Sequence, residues 1–119
     1  MFGHEKFGAY KYSMEFAALA AQIIERLPTG YGKLIDQFRR ASISVSLNIA
    51  EGSGKISEPQ RHNCYAIARG EAMECAAIMD ILECMHMVDC GTVKKAKELL
   101  ENVVAILTSV CKRKHEEGL

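Results

Sequence analysis

The sequence lacks the features that mark membrane-spanning, secreted and metal-stapled proteins. It has no tryptophan, only two prolines among 119 residues, and no apolar run near the ~18 residues that a membrane-spanning helix needs. Its five cysteines form no C-x-x-C pair, and residues 1–12 contain no apolar stretch of the signal-peptide kind. We therefore expect a cytoplasmic protein without membrane contact, whose thiols stay reduced.

The charge of the chain is balanced, with 15 basic and 15 acidic residues. A protein that wraps nucleic acid gains affinity by neutralising phosphates, so its expected mark is a strong positive excess. The balance argues against such a wrapper and leaves room for a local basic patch. Hydrophobic residues make up 49% of the chain, a normal globular fraction, and the length fits one domain over residues 1–119.

Apolar residues recur at spacings of three and four along four segments, which predicts amphipathic helices. Gly52 to Gly54 is expected to end the second helix, Ser57 to cap the third, Gly91 to stop the third and Thr92 to cap the fourth. The predicted helices cover residues 10–27, 31–52, 58–88 and 92–114. Short turns between them favour an all-α, antiparallel up-down-up-down four-helix bundle.

The spacing also predicts which residues face the core. On the second helix the inward set is Leu34, Phe38, Ala41, Val45 and Ile49. On the third helix it is Cys64, Ile67, Ala68, Met73, Ile78, Ile81, Leu82 and Met85.

The second helix carries another apolar strip, which points almost opposite to its core face. This strip consists of Ile43, Leu47 and Ala50. A helix that is apolar on two sides is typically buried on both, which predicts a homo-oligomer with these residues at the interface. The alternative is an ordinary surface, where single exposed Ile and Leu residues are common.

A polar stripe lies between the two apolar sides of the second helix. Its members are Gln37, Arg40, Ser44, Asn48 and Glu51. One interpretation is structural, with these side chains bonding across helices or subunits to fix their register. The other is a ligand site, because neighbours three or four residues apart can converge on one ligand.

Two motifs resemble those of the four helix bundle protein family, whose members include proteins encoded within intervening sequences of bacterial 23S rRNA genes. The first motif is Gln37-Phe38-Arg39-Arg40-Ala41-Ser42, followed by Asn48-Ile49-Ala50-Glu51-Gly52 and Gly54-Lys55. The second is Tyr65-Ala66-Ile67-Ala68-Arg69-Gly70, then Glu74. The chain departs from the family at Ser46, where proline is frequent, and at Glu71, where a small serine is usual.

The resemblance implies a four-helix bundle, a tendency to form pentameric rings and no established catalysis. The family is similar to accessory proteins of diversity-generating retroelements, which bind nucleic acid. Two functions stay open: an oligomeric scaffold that binds RNA or DNA, and a protein-interaction module without nucleic acid. Phosphate contacts in the first case are expected from Arg39, Arg40, Lys55, Arg61 and Arg69.

Patterns that carry catalysis or hold cofactors are missing from the sequence. Gly54-Lys55 does not extend to a phosphate-binding loop, since Ile49 and Ile56 stand where that motif needs glycine and Ser or Thr. Cys84, His86 and Cys90 are close in sequence but lack the paired cysteines of structural zinc sites. We expect no enzyme activity, no cofactor and no catalytic or metal-binding residue.

Overall fold

The computed structural model describes residues 2–117, except for the side chains of Lys6 and of residues 113–117. A short 3-10 helix, Gly3–Lys6, precedes four α-helices: α1 (Gly8–Arg26), α2 (Gly32–Gly54), α3 (Glu58–Cys84) and α4 (Cys90–Glu117). The described residues contain no strand. The helices form the predicted all-α, up-down-up-down bundle, in which each helix packs against two neighbours, α1 on α2, α2 on α3, α3 on α4 and α4 on α1.

The core contains large side chains from all four helices. Those with the least exposure are Phe16, Phe38, Ile49, Met79, Leu82, Leu100 and Leu107. The rings of Phe16 and Phe38 lie 6.3 Å apart, which is contact distance for a tilted aromatic pair. The predicted core face of α2 is confirmed, because Phe38, Ala41, Val45 and Ile49 are fully buried and Leu34 packs against them.

α2 ends within the predicted segment Gly52 to Gly54, but two residues beyond the predicted bound and without a left-handed glycine cap. Gly52 does not stop the helix, which continues to Gly54, and the only described glycine with positive φ is Gly30, before α2. Gly52 instead permits a close approach of α3, since a Cβ at this position would lie 2.7 Å from the ring of Tyr65. Ser53 Oγ lies 3.1 Å from the Tyr65 hydroxyl. The two family motifs therefore meet where α2 crosses Tyr65.

The turn between α3 and α4 also differs from the prediction. α3 ends at Cys84, and His86 rather than Gly91 takes the left-handed conformation, with φ of 58°. The His86 N–H donates to Glu83 O and the Met87 N–H to Leu82 O, which together form a Schellman motif. Asp89, not Thr92, caps α4, because its carboxylate accepts from the N–H and hydroxyl of Thr92. These bonds hold the pKa of Asp89 below its usual value.

Substituting His86 with glycine should stabilise the protein, because a side chain in the left-handed region costs about 1 kcal/mol that glycine avoids. We expect His86→Gly to raise the free energy of unfolding by up to ~1 kcal/mol, or Tm by about 4 °C, in thermal denaturation followed by circular dichroism. His86→Ala keeps the Cβ and should give no such gain. An equal gain in both variants would assign the effect to loss of the imidazole.

Candidate interaction surfaces

Arg40 joins the polar stripe of α2 to α3. Its guanidinium donates to Glu71 Oε1 at 3.2 Å and to Glu74 Oε2 at 2.8 Å. Gln37 Nε2 also donates to Glu74, at 3.2 Å. This half of the stripe therefore connects α2 to α3. Glu71, which stands where the family usually has serine, provides one of the carboxylates.

The rest of the stripe makes contacts within α2. Asn48 Nδ2 donates to the carbonyl oxygen and to Oγ of Ser44, both at 2.9 Å. Glu51 and Lys55 form an ion pair at 3.5 Å. The five stripe residues thus make two separate sets of contacts and do not converge on one point.

Each of the five basic residues proposed to contact phosphate has a partner within the chain. Arg39 pairs with Asp36 at 3.4 Å, and Arg40 and Lys55 each form the ion pairs described above. Arg61 donates to the carbonyl oxygens of residues 55 and 56, and Arg69 Nε donates to Thr108 Oγ1 at 2.7 Å. Arg39 and Lys55 are also about 24 Å apart along α2. Nucleic-acid binding through these residues remains a prediction.

A solvent-exposed apolar surface lies where the sequence predicts an oligomer interface. Ile43 is 49% and Leu47 62% exposed, and Met14 of α1 is 47% exposed beside them. Together with Ala50 they border a groove of about 310 Å³ between α1 and α2. We call Met14, Ile43, Leu47 and Ala50 the α1/α2 strip.

Ser46 lines the same groove and is buried. Its hydroxyl donates to Ser13 Oγ of α1 at 2.9 Å, and Ser13 in turn donates to Tyr10 O. A serine at the position where the family often has proline thus bonds α2 to α1. This bond therefore joins the two helices that carry the α1/α2 strip.

A second apolar surface follows α3, where the sequence prediction of the core face is confirmed for four residues and wrong for four. The four that are buried as predicted are Cys64, Ala68, Ile78 and Leu82. Ile67, Met73, Ile81 and Met85 were expected to point inward but are 40–52% exposed. The buried face of α3 instead includes Ala68, Ala72, Cys75, Ile78, Met79 and Leu82. The exposed small residues Ala66, Gly70 and Ala77 lie among the larger ones. We call Ala66, Ile67, Gly70, Met73, Ala77 and Ile81 the α3 strip.

The two carboxylates that border the α3 strip, Glu74 and Asp80, are ion-paired, Glu74 through an Arg40 that it shares with Glu71. Glu74 is paired with Arg40, and Asp80 accepts from Lys97 Nζ of α4 at 2.6 Å. Glu74 is only 35% exposed at its side chain. A partner that covers the α3 strip therefore does not have to bury an unpaired charge at these two positions, which would be costly.

The two strips face away from each other. α3 contacts α2 and α4, so it lies diagonally across the bundle from α1. The groove between α1 and α2 opens on one side, and a groove of about 270 Å³ beside Met73 opens between α3 and α4 on the other. Each protomer thus presents two different apolar surfaces in two directions.

Metal and membrane sites are not found in the described part of the chain. Its His, Cys, Asp and Glu side chains form no group of three or more that could hold a metal ion, and Cys84, His86 and Cys90 are included in this. Among the described helices, none is sufficiently long and apolar to cross a membrane.

Comparison with known proteins identifies the family of this bundle. The family model of the 23S rRNA-intervening sequence proteins matches residues 5–109, and the chain belongs to that family. A similar solved structure comes from Bacteroides thetaiotaomicron and is described as a protein of unknown function from the S23 ribosomal protein family. It is 21% identical, has a TM-score of 0.80, and the match covers 87% of this chain and 98% of that one. No curated protein matches the chain.

Proposed function

We propose that the chain is a non-enzymatic, cytoplasmic scaffold that functions as a homo-oligomer, with the α1/α2 strip at the contact between subunits. The observation that supports this most is the exposure of Ile43 and Leu47 beside Met14, on a part of α2 whose opposite face is fully buried. Side chains of this size that are half exposed gain about 1 kcal/mol each when covered. A pentameric ring is the assembly that the family resemblance implies.

The side of the bundle is large enough for such a contact. The molecule measures 48 × 23 × 23 Å. Stable complexes bury roughly 800 Å² on each partner, which a side-by-side contact along the long dimension can reach. A small polar ligand is a poorer fit to the α1/α2 strip, because the groove is lined chiefly by apolar side chains.

The arrangement of charge favours the scaffold over direct nucleic-acid binding. Arg39, Arg40 and Lys55 are held in ion pairs, so a phosphate would have to compete with Asp36, Glu71, Glu74 and Glu51. Binding of RNA or DNA through these residues is therefore the weaker of the candidate functions.

Replacing Leu47 with arginine should dissociate the oligomer, because a charge in the strip would be buried without a partner. Sedimentation velocity should then give the mass of a monomer, with an unchanged helical circular dichroism spectrum. The matched control is Asn102→Arg, an exposed position of α4 outside both strips, which should leave the assembly intact. Equal masses for Leu47→Arg and the native protein would contradict the proposed interface.

A further inference from the structure

We infer that the α3 strip of one copy is the surface that receives the α1/α2 strip of the next, so that subunits join head to tail. This inference rests on the proposed function, because it needs self-association through the α1/α2 strip. It adds the identity of the receiving surface, whose larger residues Ile67, Met73 and Ile81 the sequence prediction places in the core.

Gly70 is the first observation that favours a partner on the α3 strip. It lies in the interior of the 27-residue helix α3, is exposed, and a Cβ added to it would meet nothing within 4 Å. Its φ is not positive, so the backbone conformation does not need glycine. Glycine within a helix weakens that helix relative to alanine. A glycine here leaves space for a partner molecule to approach the helix closely.

The two strips differ in the size of their side chains. The α1/α2 strip presents long side chains, with Leu47 62% and Ile43 49% exposed. The α3 strip is low at Ala66, Gly70 and Ala77 and higher at Ile67 and Met73 on either side. Large side chains of one helix fit between small residues of another when helices pack by ridges and grooves.

Further copies of the same chain cover both strips, with one neighbouring copy on the α1/α2 strip and another on the α3 strip. A symmetric contact of the α1/α2 strip with itself would leave Met73 and Ile81, 52% and 44% exposed, in water. A head-to-tail contact pairs the two strips and repeats at every subunit. Contacts of this type generate a ring where the rotation closes and a filament where it does not.

The test uses one disabling substitution in each strip. Leu47→Arg disables the α1/α2 strip and leaves the α3 strip intact. Met73→Arg disables the α3 strip and leaves the α1/α2 strip intact. Both residues are largely exposed, so each variant should keep the fold. By native mass spectrometry, each variant alone should be a monomer, and an equimolar mixture should form a heterodimer through the one intact contact.

The possible failures are distinguishable. If Met73→Arg assembles like the native protein while Leu47→Arg does not, the α3 strip is not the receiving surface and the inference is wrong, although the proposed scaffold stands. If both variants are monomers and their mixture gives no heterodimer, the inference is also overturned. If the native protein is itself a monomer, both the proposed function and the head-to-tail inference fail.

A second variant separates assembly from folding. Gly70→Ala in the monomeric Leu47→Arg background should raise Tm by about 4 °C, because alanine favours the helix. In the native background the same change should weaken assembly by roughly tenfold, because the added methyl group lies in the contact. Gly54→Ala also meets nothing within 4 Å but lies outside both strips, and it should leave assembly unchanged. Undiminished assembly in Gly70→Ala would contradict the close approach at this position.

Discussion

Gly52→Ala should lower the free energy of unfolding by about 2 kcal/mol, although alanine is the better helix former. The new Cβ would lie 2.7 and 2.9 Å from two ring carbons of Tyr65 and 3.0 Å from the Cβ of Cys64. Tyr65 cannot easily move away, because it is buried, lies 3.1 Å from Ser53 Oγ and packs against Phe7 with ring centroids 5.6 Å apart. The expected decrease in Tm is about 8 °C.

The matched control for this prediction is Gly54→Ala, two residues further along the same helix. A Cβ at Gly54 would meet nothing within 4 Å, so this variant should be neutral or slightly more stable. Urea denaturation of both variants measures the difference. Equal stabilities would mean that the α2–α3 contact relaxes at no cost and that Gly52 is not required by packing.

Stability at alkaline pH should depend on Cys75. This thiol is fully buried, and burial, with a smaller contribution from the charges of Glu74 and Glu71, raises its pKa to about 12 from the ordinary value of 9.0. The folded protein therefore keeps the thiol neutral where the unfolded chain ionises it. The stabilisation that this group contributes is fully present below pH 9 and is lost as pH rises from 9 towards about 12, at up to ~1.4 kcal/mol per pH unit.

The measurement is the free energy of unfolding of the native protein and of Cys75→Ala between pH 7 and pH 11. Alanine should lower stability at pH 7 through the small cavity, and its curve should fall less steeply above pH 9. The difference between the two curves isolates Cys75 from the tyrosines and lysines that titrate in the same range. Parallel curves would show that the Cys75 thiol ionises equally in both states.

The fold could be predicted from the sequence because periodic apolar spacing decides which residues a helix buries. On α2 this worked on both faces: Phe38 and Val45 are buried, and Ile43 and Leu47 point outward. On α3 it worked for Ala68 and Leu82 but not for Met73, because apolar residues lie almost all round the helix and spacing alone cannot choose the inward side. The rule that predicts a second apolar side on α2 applies equally to α3. Applied there, it would have predicted an outward apolar side with Ile67, Met73 and Ile81.

The helix ends were less predictable, since several residues compete for each cap. Gly91 and Thr92 suit a stop and a cap, but Asp89 accepts two hydrogen bonds from Thr92 and His86 takes the left-handed position. The pairing of Arg40 with Glu71 could not be read from spacing either, because those residues are 31 positions apart on different helices. The Arg40 pairs depend on the packed bundle, whereas Arg39 with Asp36 and Lys55 with Glu51 are three and four positions apart and are readable from helical spacing.

The central claim, that this bundle functions as an assembly, is tested most directly by the solution mass of the native protein. One chain has a mass of 13.2 kDa. Sedimentation equilibrium over a range of protein concentrations at neutral pH should give a whole-number multiple of that mass, five-fold if the family resemblance extends to the ring. A mass of 13.2 kDa at every concentration would contradict the account.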